Sequence, residues 1–182
     1  MDMPPVEHSQ PRHPFAELCY RVRQFRAAIQ AEVQTEEWQL VAQVLTATEY
    51  RLFLDMPRYD QRHCLDVYTT LIRAGCSDPH LLRAALIHDC GKVDDNGRGL
   101  PLFWYTLVTM LNKVAPGLYR TAAASGRGPL RPFRLYAEHA WRGAQMAARA
   151  GSPAEMVAII RHYHDVAPTG QAALLQWADQ QH

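Results

Sequence analysis

The segment from Pro79 to Gly91 constrains the fold of this chain most strongly. Asp78 can cap a helix, and proline is suited to the first helical position that Pro79 would occupy. The residues that follow are apolar on nearly every side of a helix, and the run stops at Gly91. A helix of this kind has no face for solvent, so other elements must enclose it. We therefore expect a central buried helix.

Helix signals recur along the rest of the chain, whereas strand signals do not. No stretch sustains the alternation of apolar and polar residues that a half-buried strand shows. The predicted fold class is all-α, a single-domain helical bundle. The segments with helical patterns are Phe15–Val33, an apolar face running from Thr35 through Phe53, Tyr59–Ala74, Pro79–Gly91, Pro101–Val114, Phe133–Ala150, a helix opened by a capping box at Ser152–Glu155 and ending near Tyr163, and a short helix ending at Asp179.

Three further segments complete the predicted organisation. Residues 1–14 carry four prolines and no apolar periodicity, so we expect a flexible leader. Residues 15–58 are expected to form N-terminal helices packed on the core of a domain spanning 59–182. The stretch Pro116–Pro132 is rich in Gly, Ala, Ser and Arg and is predicted to be a mobile loop.

Composition excludes several classes of protein. The formal net charge is +1, with 19 basic and 18 acidic side chains, so a partner of extended nucleic-acid form is not expected. No apolar run approaches the roughly 20 residues of a membrane-spanning helix. The four cysteines form no C-x-x-C pair and no signal peptide is recognisable. We therefore expect reduced, buried thiols and a cytoplasmic location.

Histidines occupy unusual places in this sequence. Of the nine, five lie on or at the end of predicted helices among apolar neighbours: His63, His88, His139, His162 and His164. An unpaired buried polar group costs about 1–3 kcal/mol. One such histidine would indicate a hydrogen-bonded core residue, but five, joined by Asp89 and Asp179, favour metal ligation.

The most specific motif is His88-Asp89-Cys90-Gly91-Lys92, at the end of the apolar helix. With this motif the chain, over roughly residues 59–181, resembles the HD superfamily of metal-dependent phosphohydrolases. The His-Asp-x-Gly-Lys form is similar to the HD-GYP phosphodiesterases and to the HD-type diadenosine tetraphosphate hydrolases. The resemblance implies a divalent-metal site with ligands His63, His88, Asp89 and Asp179.

A second ion is also implied by this resemblance. His139 stands four residues before Gly143, as in members that hold two metals, and His164 matches a second later ligand. Asp89 would then bridge the ions, because a carboxylate can span two centres. The chain departs from the family where Tyr163 takes a usual ligand position, so that His162 or Tyr163 is an additional candidate for a ligand or a substrate contact. The Gly-Tyr-Pro of the HD-GYP class is absent too.

The function implied is hydrolysis of a phosphomonoester or phosphodiester, with a nucleotide as the expected small-molecule substrate, by metal-activated water. The sequence does not distinguish one ion from two, nor Fe, Mn, Zn and Mg from one another. Asp89 and Lys92 are the predicted catalytic residues, although Lys92 could simply be a favourable cation at a helix C-terminus. Arg127 and Arg131 could bind phosphate or belong to a solvated loop.

Other interpretations stay open. A di-iron oxygenase resembling inositol oxygenase would use a similar set of His and Asp ligands. A non-catalytic sensor or partner-binding domain would explain Tyr163 as the mark of a decayed site. The aromatic stretch Phe103–Val108 would suit core packing, a nucleobase pocket or a homodimer face.

Overall fold

The computed structural model describes residues 32–94, 97 and 99–182. Within these residues the regular structure is entirely helical, which confirms the all-α prediction. The predicted leader 1–14 and nearly all of the predicted helix Phe15–Val33 lie outside the described part. The nine described α-helices are α1 Thr35–Val44, α2 Ala47–Asp55, α3 Arg58–Arg73, α4 Pro79–Ile87, α5 Leu102–Val114, α6 Pro116–Ser125, α7 Arg131–Arg149, α8 Ala154–His162 and α9 Gly170–Asp179, with 3-10 turns at Cys90–Lys92 and Gly128–Leu130.

Helix α4 is buried, as its composition predicts. The Asp78 carboxylate accepts a hydrogen bond of 2.8 Å from the backbone amide of Leu81 and caps the helix. Leu81 and every residue from Ala84 to Ile87 are fully buried. The chain therefore delivers His88 and Asp89, which follow α4 directly, to the interior of the bundle.

The apolar face from Thr35 through Phe53 is divided between two helices. Thr46 interrupts it, because its hydroxyl accepts a bond from the amide of Glu49 while the Glu49 carboxylate accepts one from the amide of Thr46. This reciprocal pair is a capping box, which starts a new helix. Val41 of α1 and Phe53 of α2 both belong to the main core cluster.

Two local predictions were wrong. Much of the segment predicted as a mobile loop, Pro116–Pro132, is helical, because Pro116 suits a helix start and an alanine-rich sequence follows up to Gly126, which ends α6 in the left-handed region with φ 53°. The capping box predicted at Ser152 does not form either. Its hydroxyl donates to the Glu49 carboxylate at 2.6 Å instead, and Pro153 occupies the cap position of α8.

Helix α7 and the turn Cys90–Lys92 pack with little space between their backbones. A Cβ atom on Gly91 would lie 2.0 Å from the backbone oxygen of His139, so only glycine fits there. Arg142 of α7 also donates to the carbonyl oxygens of Gly91, at 3.2 Å, and of Val93, at 3.1 Å. This contact sets α7 beside the His-Asp motif.

The described cysteines, Cys64, Cys76 and Cys90, are free thiols. Cys64 and Cys90 are buried, as expected, whereas Cys76 is half-buried. The fourth cysteine, Cys19, lies outside the described residues.

Candidate metal centre

The first and last predicted ligands meet at the surface of the bundle. His63 lies on α3 and Asp179 ends α9, and their Nε2 and Oδ1 atoms are 2.8 Å apart. Both side chains keep about a fifth of their surface exposed, at 20%. The pair therefore forms the solvent-facing side of the cluster.

His88 and Asp89 form the buried side of the same cluster. His88 Nε2 lies 3.6 Å from Asp179 Oδ1 and 3.6 Å from Asp89 Oδ1. Asp89 Oδ2 lies 3.7 Å from His63 Nε2. The structure thus brings together His63, His88, Asp89 and Asp179, which come from α3, the end of α4 and α9.

The orientation of the His88 ring leaves one nitrogen for a ligand. Its Nδ1 lies 2.9 Å from the carbonyl oxygen of Ala85, and a carbonyl can only accept, so Nδ1 carries the proton of this bond. Nε2 is buried and has no hydrogen-bond partner among the described residues. A histidine bound to a metal through one nitrogen and to a carbonyl through the other has this arrangement.

The spacing of the donor atoms fits one ion. Ligands bonded at about 2.1 Å to a common ion lie about 3.0–3.4 Å from one another. Four separations within the cluster run from 2.8 to 3.7 Å, with Asp89 facing His88 through Oδ1 and His63 through Oδ2. His63, His88 and Asp179 also offer atoms that all lie within 4.8 Å of one another. This His/Asp cluster could therefore hold a metal ion.

A second group that could hold an ion consists of Cys64, His88 and Asp89. It fits less well, since the Cys64 sulfur lies 3.6 Å from His88 Nδ1, the nitrogen already bonded to Ala85. Burial also raises the pKa of the Cys64 thiol, which disfavours the thiolate that binds metals.

Lys92 is buried and contacts the central carboxylate directly. Its Nζ lies 2.5 Å from Asp89 Oδ2 and 3.6 Å from Asp60 Oδ1. The rings of Tyr105 and Tyr136 flank it at 4.9 and 5.7 Å from their centroids, close enough for cation–π contacts. Lys92 is therefore the counter-ion of Asp89, and its catalytic role stays a prediction.

These charges set the ionisation of the cluster. Burial opposes the charge of Asp89, but Lys92 and the nearby imidazoles outweigh it and hold the pKa of Asp89 well below its usual range. Burial likewise opposes ionisation of Asp179, and His63 and His88 hold its pKa well below the usual value. Both carboxylates are thus charged at neutral pH and suited to a cation.

His139, Tyr163 and His164 lie beside the cluster. His139 Nε2 is 3.6 Å from Asp89 Oδ1, 2.7 Å from the Tyr163 hydroxyl and 3.1 Å from His164 Nε2. Burial, followed by the charge of Lys92, lowers the pKa of His139 to about 3, so the imidazole is neutral. Tyr163 is fully buried and its hydroxyl lies 3.5 Å from Asp89 Oδ1.

The remaining predicted site residues are placed elsewhere. His162 is 52% exposed and its Nδ1 pairs with Asp165 at 2.8 Å, so the structure does not bring it to the cluster as a ligand or a substrate contact. Arg127 is exposed before the turn Gly128–Leu130, and Arg131 begins α7 with its guanidinium 3.9 Å from the Asp94 carboxylate. Phosphate binding by these arginines stays a prediction.

Sequence reasoning missed Asp60 and the tyrosines around Lys92. Asp60 precedes His63 by three residues on α3, so helical spacing could have placed both on one face. Tyr136 precedes His139 by three residues on α7 in the same way, and its carbonyl oxygen lies 2.5 Å from His139 Nδ1. Tyr105 carries no local signal, because it reaches Lys92 only through tertiary packing.

No protein-family model, curated protein or solved structure matches this chain in the comparisons. Within the described part of the chain, no helix combines the length and the apolar character needed to cross a bilayer.

Proposed function

We propose that this protein is a metal-dependent phosphohydrolase that cleaves a phosphomonoester or phosphodiester, with a nucleotide as substrate. The observation that carries the proposal is the convergence of His63, His88, Asp89 and Asp179 at donor separations of 2.8–3.7 Å, with the buried Nε2 of His88 lacking any described partner. These side chains come from three parts of the chain, and the packing of the helices does not require polar groups to meet at this point.

The donor set defines the chemistry. Two imidazoles and two carboxylates suit Fe, Mn or Zn, and they accommodate Mg less readily because Mg prefers oxygen ligands alone. A divalent ion held here would supply a Lewis acid that neutralises phosphate oxygens and lowers the pKa of a coordinated water from 15.7 towards about 7–9.

The protein's own residues hold and shape this centre. Lys92 keeps Asp89 ionised and fixes the direction of its carboxylate through the 2.5 Å contact. The carbonyl of Ala85 holds the ring of His88. Because His63 and Asp179 are partly exposed whereas His88 and Asp89 are buried, we expect substrate to arrive from the side of α3 and α9.

Elemental analysis combined with a substrate panel tests the proposal. We expect purified protein to contain a divalent metal and to hydrolyse p-nitrophenyl phosphate, bis-p-nitrophenyl phosphate or a nucleotide. The change His88→Ala should remove the metal and the hydrolysis together, because it deletes a buried ligand. His162→Ala is the matched control: this exposed histidine lies outside the cluster, so metal and hydrolysis should be retained.

Three outcomes would contradict the proposal. Wild-type metal content in His88→Ala would refute the ligand set. Oxygen uptake by the iron-loaded protein, without phosphate release, would favour the oxygenase. Protein that binds no metal and hydrolyses none of the substrates would favour the non-catalytic domain.

A further inference from the structure

We infer that Tyr163 limits this centre to one metal ion, because its hydroxyl takes the lone pair of His139 that a second ion would need. The inference rests on the proposed metal centre at His63, His88, Asp89 and Asp179. It concerns the neighbouring position between Asp89, His139 and His164, where the sequence resemblance implies a second ion.

The hydrogen bonds of His139 leave it a single acceptor site. Its Nδ1 lies 2.5 Å from the carbonyl oxygen of Tyr136, so Nδ1 carries the ring proton and Nε2 keeps the lone pair. The Tyr163 hydroxyl lies 2.7 Å from that Nε2, much closer than the 3.5 Å that separates it from Asp89 Oδ1, so we assign its proton to the bond with Nε2. His88 has the same bond to a carbonyl three residues earlier, but its Nε2 has no described partner. The two histidines share the bond to a carbonyl three residues earlier, and the Tyr163 hydroxyl is the closest group to the Nε2 of His139.

Tyr163 is held firmly in this position. The side chain is fully buried and belongs to the main core cluster, and its ring packs edge-on against the ring of His88 with centroids 5.3 Å apart. A phenol enclosed in this way cannot swing into solvent to release His139 without opening the core.

Asp89 also lacks a free oxygen atom with which to bind a second ion. Lys92 contacts its Oδ2 at 2.5 Å, and the same oxygen lies 3.7 Å from His63 Nε2, whereas Oδ1 is directed at His88 and His139. Oδ1 lies 3.6 Å from both His88 Nε2 and His139 Nε2. If Asp89 bridged two ions through its two oxygens, its Oδ2 would have to lose the contact with the Lys92 ammonium. With that contact kept, Oδ1 is the oxygen left to bind the ion beside His88.

His164 lies where it could share an ion with His139. Its Nε2 lies 3.1 Å from His139 Nε2, a separation that two ligands of one ion would also have. The closer phenol, at 2.7 Å, is what prevents the two imidazoles from serving a common ion. An imidazole at position 163 would remove the donor and add a ligand.

Metal stoichiometry tests this inference without any activity measurement. Chelator-treated protein is titrated with Mn²⁺ under argon, and tightly bound metal is counted per chain. We expect about one ion for the wild type and about two for Tyr163→His, since the variant frees His139 and supplies a nitrogen ligand. A spin-coupled Mn²⁺ spectrum should appear in Tyr163→His only.

Variants at His139 provide the matched controls. His139→Gln should keep about one ion in the wild-type background, because His139 is not a ligand there, and should return Tyr163→His from about two ions to about one. Two tight ions in the wild type, a single ion in folded Tyr163→His, or loss of the ion in His139→Gln would each overturn the inference. If Tyr163→His fails to fold, the number of ions bound per chain by the wild type and by His139→Gln still tests the inference. A wild type with no ion at all would instead refute the proposed metal centre.

Discussion

Lys92 shows how far one buried charge organises this site. The ammonium lies between Asp89 at 2.5 Å and Asp60 at 3.6 Å, out of contact with bulk water. Asp60 is so deeply buried that its pKa is raised to about 6 despite the lysine. The three groups act as one unit in which one positive charge serves two carboxylates.

Removing that charge should destabilise the protein. We expect Lys92→Met to lower the free energy of unfolding by about 3 kcal/mol, because two buried carboxylates lose their counter-ion. Asp60→Asn introduced into the same variant should recover part of the loss. Denaturant unfolding at neutral pH measures both effects.

The other lysine of the chain gives the control for this prediction. Lys113→Met changes an exposed position on α5, and we expect an effect within about 0.5 kcal/mol. Equal destabilisation by both substitutions would contradict the counter-ion role of Lys92.

At the scale of elements, the boundaries that local chemistry determines could be predicted. The cap at Asp78 and the glycine after α3 are sequence signals, and they place the end of α3 and the start of α4 as expected. Helix α4 ends at Ile87, four residues before the predicted stop at Gly91. The segment after Pro116 was misjudged because its glycines and serine resemble a loop, although alanine propensity and Gly126 define a helix. Ser152 was misjudged because its partner, Glu49, is 103 residues away.

Close packing between elements gives a second prediction. Gly91→Ala should lower the free energy of unfolding by about 3 kcal/mol, since the new methyl group would lie 2.0 Å from the His139 carbonyl oxygen and 2.5 Å from the Gly143 amide nitrogen. It should also reduce bound metal, because α7 and the His-Asp motif must move apart. Unfolding and elemental analysis of the same preparation test both.

Gly117→Ala is the control for that packing. No atom lies within 4 Å of the position of its added methyl group, and the residue stands in the first turn of α6. We expect this change to be neutral or to stabilise the protein by up to about 1 kcal/mol. Comparable losses from the two alanines would show that the contact at Gly91 is not tight.

For the whole molecule, the sequence pattern predicts the all-α class. Periodicity does not predict which side chains from distant parts of the chain come together in the cluster. Helical spacing places His63, His88 and Asp179 on or at the ends of helices, but it does not show which helix ends face one another. Tertiary packing decides this, as it decides that Tyr163 points inward while His162 points outward. The family resemblance, by contrast, proposed the grouping without any geometry.

A buried ionic link joins distant parts of the molecule and contributes to its acid stability. Glu49 of α2 accepts hydrogen bonds from Arg83 of α4 and from Ser152 before α8. Burial opposes its charge, but these bonds outweigh burial and lower the pKa of Glu49 below its ordinary 4.5. The stabilisation is therefore complete above pH 4.5 and is lost as pH falls towards the lowered folded-state pKa.

Glu49→Gln should accordingly cost about 3 kcal/mol at pH 7 and flatten the fall of stability below pH 4.5. Denaturant unfolding between pH 7 and pH 3.5, at about half-unit steps, measures both effects. The exposed Glu155, changed to Gln, should alter stability by no more than about 0.5 kcal/mol. An acid limb of unchanged slope in Glu49→Gln would contradict the prediction.

The contact between His63 and Asp179 joins residues 116 positions apart. An ion bound by both residues would cross-link the third helix to the ninth and would close most of the described chain into one loop. Fraying of the final turn of α9 would then remove Asp179 from the ion. Metal occupancy would therefore report whether that helix end is ordered, as well as how tightly the ligands bind.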